Sequence, residues 1–111
     1  MKIKECIQGK LADFTTICKL YNVKSLYAFG SSTTDLFDEN SSDIDLLIEI
    51  DENDSLERGE KLLAIWDKLE EFFHRKVDLL TKSSIKNSIL RKNIEATKIL
   101  IYDGKRQKVS L

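Results

Sequence analysis

The chain has 111 residues, 18 basic and 19 acidic, with a formal net charge of -1. That length suits one domain spanning 1–111, and the balanced charge argues against a protein that grips nucleic acid through a basic field. No apolar run could span a bilayer and the first ten residues hold no signal-peptide core, so a cytoplasmic protein with no membrane contact is expected.

In chain order, residues 3–21 place Ile7, Leu11, Phe14, Ile17, Cys18 and Tyr21 at intervals of three and four, which predicts one helix stopped near Asn22. Cys6 and Cys18 on such a helix stand about 18 Å apart, too far for a disulfide, and no CxxC or His/Cys cluster suggests zinc. Two reduced thiols are expected. Residues 25–29, short and aromatic, predict a buried strand closed by Gly30. Ser31, Ser32 and Thr33 are capable helix caps, and residues 38–41 read as loop. A strand over 43–50 follows.

Asp54 with Glu57 three residues on marks a helix start. That helix is expected to reach about Phe73 and to bury Leu56, Leu62, Leu63, Trp66, Leu69 and Phe73. Its last turn meets His74, the one histidine, whose expected role is to stabilise the helix C-terminus. Residues 75–81 predict a third strand. Ser83 or Ser84 should cap another helix, with Ile85, Ile89, Leu90 and Ile94 inward, and 98–102 a fourth strand. Residues 103–111 then form a basic, flexible tail. The expected fold class is α/β (α+β): a mixed sheet of about four strands with helices packed on it.

The chemistry concentrates between Phe29 and Ile50. Alternation over 43–50 points Asp43, Asp45 and Leu47 to one face, and Ile44, Leu46, Ile48 and Ile50 to the other. Two carboxylates sharing one strand face repel and resist desolvation, a conflict that a multivalent cation relieves. Asp78 sits between Val77 and Leu79 in the third predicted strand. If the two strands are neighbours with these faces aligned, three acids converge. Oxygen ligands without His or Cys select Mg²⁺, with Mn²⁺ the other choice. The plainer reading leaves Asp43 and Asp45 solvated at a strand edge, with Asp78 paired to Lys76 or Arg75. Asp38, Asn40, Ser42 and Glu49 imitate part of a calcium loop, but the sixth position must be glycine and is Asp43. Calcium binding is therefore not expected.

Upstream, Gly30 lets an anion approach the backbone, and Ser31 and Ser32 add hydroxyls and N–H groups at the start of a turn. Alone, a Gly-Ser after a strand is an ordinary turn. Beside the acids it becomes the phosphate half of a two-part site, although no Walker loop is present.

Gly30-Ser31, then Asp43-Ile44-Asp45, then Asp78 resembles the nucleotidyltransferase superfamily that includes DNA polymerase beta. The length and the phrase Tyr27-Ala28-Phe29-Gly30-Ser31 are most similar to its minimal nucleotidyltransferases, the antitoxins of HEPN/MNT pairs. The resemblance implies that Ser31, helped by the Gly30 backbone and Ser32, binds the triphosphate of ATP. It further implies that Asp43, Asp45 and Asp78 are catalytic and ligate two Mg²⁺ ions. The implied reaction transfers AMP from ATP to a hydroxyl of a partner protein, a HEPN-domain toxin, with no direct nucleic-acid binding. Thr34 and Asp35 stand where many minimal members carry Arg-Gly. Two alternatives remain open: an antitoxin acting by contact with little or no catalysis, and a small-molecule (antibiotic) nucleotidyltransferase. Homo-oligomerisation is left open as well.

Overall fold

The computed structural model describes residues 2–33 and 43–110, without the side chains of Lys2 and Ser31. Its order is α1 (Lys2–Gly9), α2 (Leu11–Leu20), β1 (Val23–Ala28), a 3₁₀ turn (Gly30–Thr33), β2 (Ile44–Ile50), α3 (Ser55–Phe73) and β3 (Val77–Leu80). A second 3₁₀ turn (Lys82–Ser84), α4 (Ser88–Thr97), β4 (Ile99–Asp103) and β5 (Lys108–Val109) complete it. The fold is α+β, with a mixed five-stranded sheet in the order β3-β2-β1-β4-β5. Among the described residues only β2 and β3 run parallel, joined through α3 as a β-α-β crossover. Among the described residues no helix is long and apolar enough to cross a membrane.

The predicted alternation along β2 divides the molecule. Ile44, Leu46, Ile48 and Ile50 enter the main core with Phe14, Cys18, Ile65, Leu69 and Phe73 from α2 and α3. Leu47 faces the other way and joins a smaller cluster with Phe29, Ile85 and Ile94, under α4. Asp45, two residues before Leu47, lies on that second face.

Asp54 starts α3 as expected: its carboxylate accepts the Leu56 N–H at 2.9 Å. His74 ends it in the left-handed conformation, φ 54°. Several expectations need correction. The first helix is two, because the chain bends at Lys10 (φ −138°) just after Gly9, a residue of low helix propensity. The bend carries Leu11 outward, and it places Cys6 and Cys18 on different helices. Cys6 is exposed, whereas burial pushes the Cys18 thiol up to about 12 and leaves it inert.

Leu56 and Leu63 are 71% and 66% exposed, not buried. The rest of the expected stripe holds: Leu69 and Phe73 are buried in the core and Leu62 and Trp66 pack against it, with Ile65 as the inward residue not expected. The last helix starts later than expected, capped by Asn87, whose side chain accepts from Ile89 and Leu90 N–H. Ile89 consequently lies 78% exposed and Leu90 is also exposed, while Ile85, in the segment before the helix, is buried. The segment expected to trail as a loose tail instead turns back at Gly104 and pairs Lys108 with Asp103 as β5. That supplies the fifth strand.

β3 is an edge strand, and at Val77 its outward backbone is bonded to α3. Trp66 Nε1 donates to the Val77 carbonyl at 2.7 Å, and the Val77 N–H donates to Glu70 Oε2 at 2.9 Å. These bonds satisfy groups that would otherwise invite pairing with another chain. They also fix the residue directly before Asp78. Trp66→Phe keeps most of the ring but orphans the carbonyl, and should cost about 1–2 kcal/mol in urea denaturation. A variant as stable as the parent would mean that solvent satisfies Val77 equally well.

Candidate active site

The site is assembled where the second face of the sheet meets the turn after β1. β2 and β3 are neighbours in parallel register, with Asp45 directly opposite Asp78, Ile44 opposite Val77 and Leu47 opposite Leu80. In a parallel pair, side chains at matched positions project from the same face, so the two carboxylates stand side by side. Asp43 immediately precedes β2 and is half-buried.

Burial raises the Asp45 carboxyl first, and the neighbouring charges of Asp78 and Asp43 add to it, together with a hydrogen bond between Asp45 and Asp78. Its pKa is pushed up from 3.8 to about 6. Crowded carboxylates behave in this way when no cation is present to neutralise them. Asp45 thus has both other acids of the expected group as electrostatic neighbours. Among the described residues, however, no group of three or more His, Cys, Asp or Glu side chains stands arranged as a metal-holding cluster. The donor chemistry nevertheless suits a hard cation: all-oxygen ligands, one of them half-buried and electrostatically strained.

The turn beside the acids is bonded to β2 at several points. Phe29 N–H donates to the Asp45 carbonyl at 3.1 Å, and Asp45 N–H donates to Ser32 Oγ at 3.0 Å. Ser32 is only 1% exposed. Expected as a nucleotide contact, it accepts the backbone N–H of Asp45 on its hydroxyl oxygen and so ties the turn to the start of the strand. Thr33 Oγ1 donates to the Gly30 carbonyl at 2.9 Å, closing the turn on itself.

Gly30 has φ +64°, and a Cβ added there would lie 3.0 Å from Asp45 Oδ2. The positive φ favours glycine, and a β-carbon would fit only if the Asp45 carboxylate gave way by a few tenths of an ångström. Its N–H donates to Thr97 Oγ1 at 2.9 Å, so that group is not open to a ligand as expected. What Gly30 offers instead is an uncovered backbone next to a carboxylate. The Ser31 side chain lies outside the described residues, as do Thr34, Asp35 and the loop residues Asp38, Asn40 and Ser42.

Thr97 was missed by sequence reasoning. A hydroxyl at a helix end, followed by a strand, gives no sign that it will reach a glycine 67 positions away. A cavity of about 340 Å³ opens on the same face, floored by Leu47, Ile85 and Ile94 and flanked by Lys82, Arg91 and Glu95. A larger one, about 440 Å³, lies against Ile48, Ile50 and Arg58, toward the far end of β2 from the acids.

The sequence profile of the nucleotidyltransferase domain family matches residues 14–101, a span that contains the turn, the acids and Thr97. The chain belongs to that family. Its curated relatives include two nucleotidyltransferases of Methanocaldococcus jannaschii. One, named "Putative protein adenylyltransferase MJ1379", is 44% identical over 82 residues, covering 74% of this chain and 78% of the relative. The other, MJ0126, has the same descriptive name and is 42% identical over 81 residues, covering 73% and 79%. Similar solved structures include a toxin–antitoxin crystal structure with AMP-PNP, with TM-score 0.58 and 18% identity over 86% of this chain and 78% of that one. A complex of a tri-AMPylated Shewanella oneidensis HEPN toxin with its MNT antitoxin gives TM-score 0.51 and 17% identity, covering 89% and 74%. At these identities the two structures show that this nucleotidyltransferase shares their fold.

Proposed function

We propose that this nucleotidyltransferase transfers AMP from ATP to a hydroxyl of a partner protein, and that it serves as the antitoxin of a HEPN/MNT pair. The observation that carries the reading is the Asp45–Asp78 pair, set opposite each other on parallel strands, with Asp45 against the side-chain-free face of Gly30. The curated relatives named for protein adenylylation favour a protein acceptor, and the structural neighbours favour a HEPN-type toxin in that role.

In the proposed reaction the acceptor oxygen attacks the α-phosphorus of ATP in line. A new O–P bond forms, the bond to the bridging oxygen breaks, and pyrophosphate leaves with that bonding pair. The hydroxyl proton passes to a carboxylate of the acidic group. Asp43, Asp45 and Asp78 would hold Mg²⁺, and the bound ions would supply neutralisation of charge on the attacking and departing oxygens. Ser31, the first residue after Gly30, is proposed to bind the triphosphate. Gly30 lets that phosphate approach, and Ser32 keeps Asp45 in place from below. The partner supplies the acceptor surface.

Incubation with α-labelled ATP, Mg²⁺ and a HEPN-type protein from the same genome should move the label to that protein. Transfer should vanish when Mg²⁺ is chelated or when Asp43 and Asp45 are both replaced by Asn. A second reading, neutralisation by contact alone, is favoured by Thr34 and Asp35 in the Arg-Gly places. Rescue from toxicity by the same double variant, with no label transferred by the parent, would establish it instead.

A further inference from the structure

We propose that Thr97, at the end of α4, is the positioning residue of the Gly30 turn, holding it in the one conformation that lets a phosphate lie beside Asp45. The inference rests on the reading of that turn as the nucleotide contact. Thr97 Oγ1 donates its proton to the Asn93 carbonyl at 2.8 Å, one helical turn back. With the proton spent there, only lone pairs remain on the oxygen, and one of them receives the Gly30 N–H at 2.9 Å. The first bond is common for a threonine in a helix. The second joins elements far apart in sequence and fixes the direction in which the glycine amide points.

That direction decides the conformation of the turn. Gly30 sits at φ +64°, a region open to glycine alongside several others, so nothing in its own chemistry selects it. The selection comes from its neighbours. The Gly30 carbonyl is held by Thr33 Oγ1, and the adjacent Phe29 N–H is held by the Asp45 carbonyl. Thr97 fixes the remaining polar group. Without it the peptide between Phe29 and Gly30 could rotate, turning the open side of the glycine away from the Asp45 carboxylate, which lies at 3.0 Å from the glycine's Cβ position. α4 therefore acts on the site through one hydroxyl, without contributing a group that touches substrate.

Thr97→Val preserves the shape and branching of the side chain but neither hydrogen bond, and Thr97→Ser preserves both. Calorimetry with Mg²⁺ and ATP on the full chain should show Thr97→Val binding about tenfold more weakly, the order expected for one such bond. Thr97→Ser should remain within about twofold of the parent. In the ¹⁵N spectrum, where Gly30 is one of four glycines, its amide should shift and exchange faster in Thr97→Val and not in Thr97→Ser. An unchanged Gly30 amide, or equal ATP affinity in parent and Thr97→Val, overturns the inference. Should Thr97→Val not fold, the parent alone decides: a Gly30 amide that exchanges as fast as an exposed loop amide is not held by Thr97. A parent that binds no ATP while its Gly30 amide still depends on Thr97 would overturn the nucleotide reading and leave this link standing.

Discussion

Asp45→Asn should abolish AMP transfer while making the protein harder to unfold at neutral pH. The carboxylate is half-buried, and both burial and the charges of Asp78 and Asp43 work against its ionised form. Asparagine is nearly the same shape and carries no charge to desolvate. Replacing a strained charge by a neutral isostere should raise stability by about 1 kcal/mol, once water's screening of a half-exposed group is allowed for. The same change removes a central oxygen ligand from the proposed metal site, where losing one stabilising group costs about 10²–10³-fold in rate. Denaturation curves at pH 7.5 and label-transfer rates on the same preparation check both halves. Lower stability with full activity would show that Asp45 is an ordinary solvated strand-edge residue.

The pH dependence has a definite sign. The folded-state pKa of Asp45, about 6, lies above its ordinary 3.8, so between these values the folded chain binds more protons than the unfolded one. The resulting stabilisation is fully present below about pH 3.8 and is lost as pH rises through about 6. From Asp45 alone, then, unfolding should become easier from pH 4 to 7 and level off above, and that segment of the curve should flatten in Asp45→Asn. Mg²⁺ should restore at pH 7.5 what deprotonation removes, since a cation satisfies the same crowded carboxylates. A melting temperature raised by millimolar Mg²⁺ in the parent and not in Asp45→Asn is the expected pattern.

What the sequence made legible depended on the range of the interaction. The alternation of Asp43 to Ile50 is local, period-two information, and it placed Asp45 and the core isoleucines on the correct opposite faces. The Asp54 cap is equally local and appeared at its predicted residue. Asp78 stood out because a carboxylate between Val77 and Leu79 is unusual in a strand. Helical phase was less secure. Leu62 and Leu63 are adjacent and both apolar, so composition alone could not say which one faced the sheet. Gly9 ended α1 without any proline to announce it. The backbone bonds of the site were least visible. Ser32 read as one more hydroxyl near a phosphate turn, although its oxygen is taken by Asp45 N–H. Trp66 read as a core residue and Glu70 gave no signal, yet together they bond the outward backbone of Val77 at the edge of β3. Such pairings exist only once the sheet has formed, and no spacing rule encodes them.

Gly30→Ala should separate the stability of the turn from its function. Alanine at φ +64° costs about 1–2 kcal/mol, because the methyl group approaches the backbone in the left-handed region. The added carbon would also stand 3.0 Å from Asp45 Oδ2, closer than comfortable packing, so one partner must move by a few tenths of an ångström. A carboxylate at the end of a side chain moves more easily than the turn, which is held through the Phe29 and Gly30 amides, the Gly30 carbonyl and Ser32 Oγ. The strain should therefore be relieved at Asp45, within the reacting group. A displaced ligand degrades a positioned reaction steeply, with losses near 10²-fold for about 1 Å, so transfer should fall about 10–100-fold. The chain should still fold, with ordinary far-UV dichroism and a melting point lowered by several degrees. Activity within twofold of the parent would mean that Asp45 tolerates displacement, and the close approach of Gly30 to that carboxylate would then have no part in the chemistry.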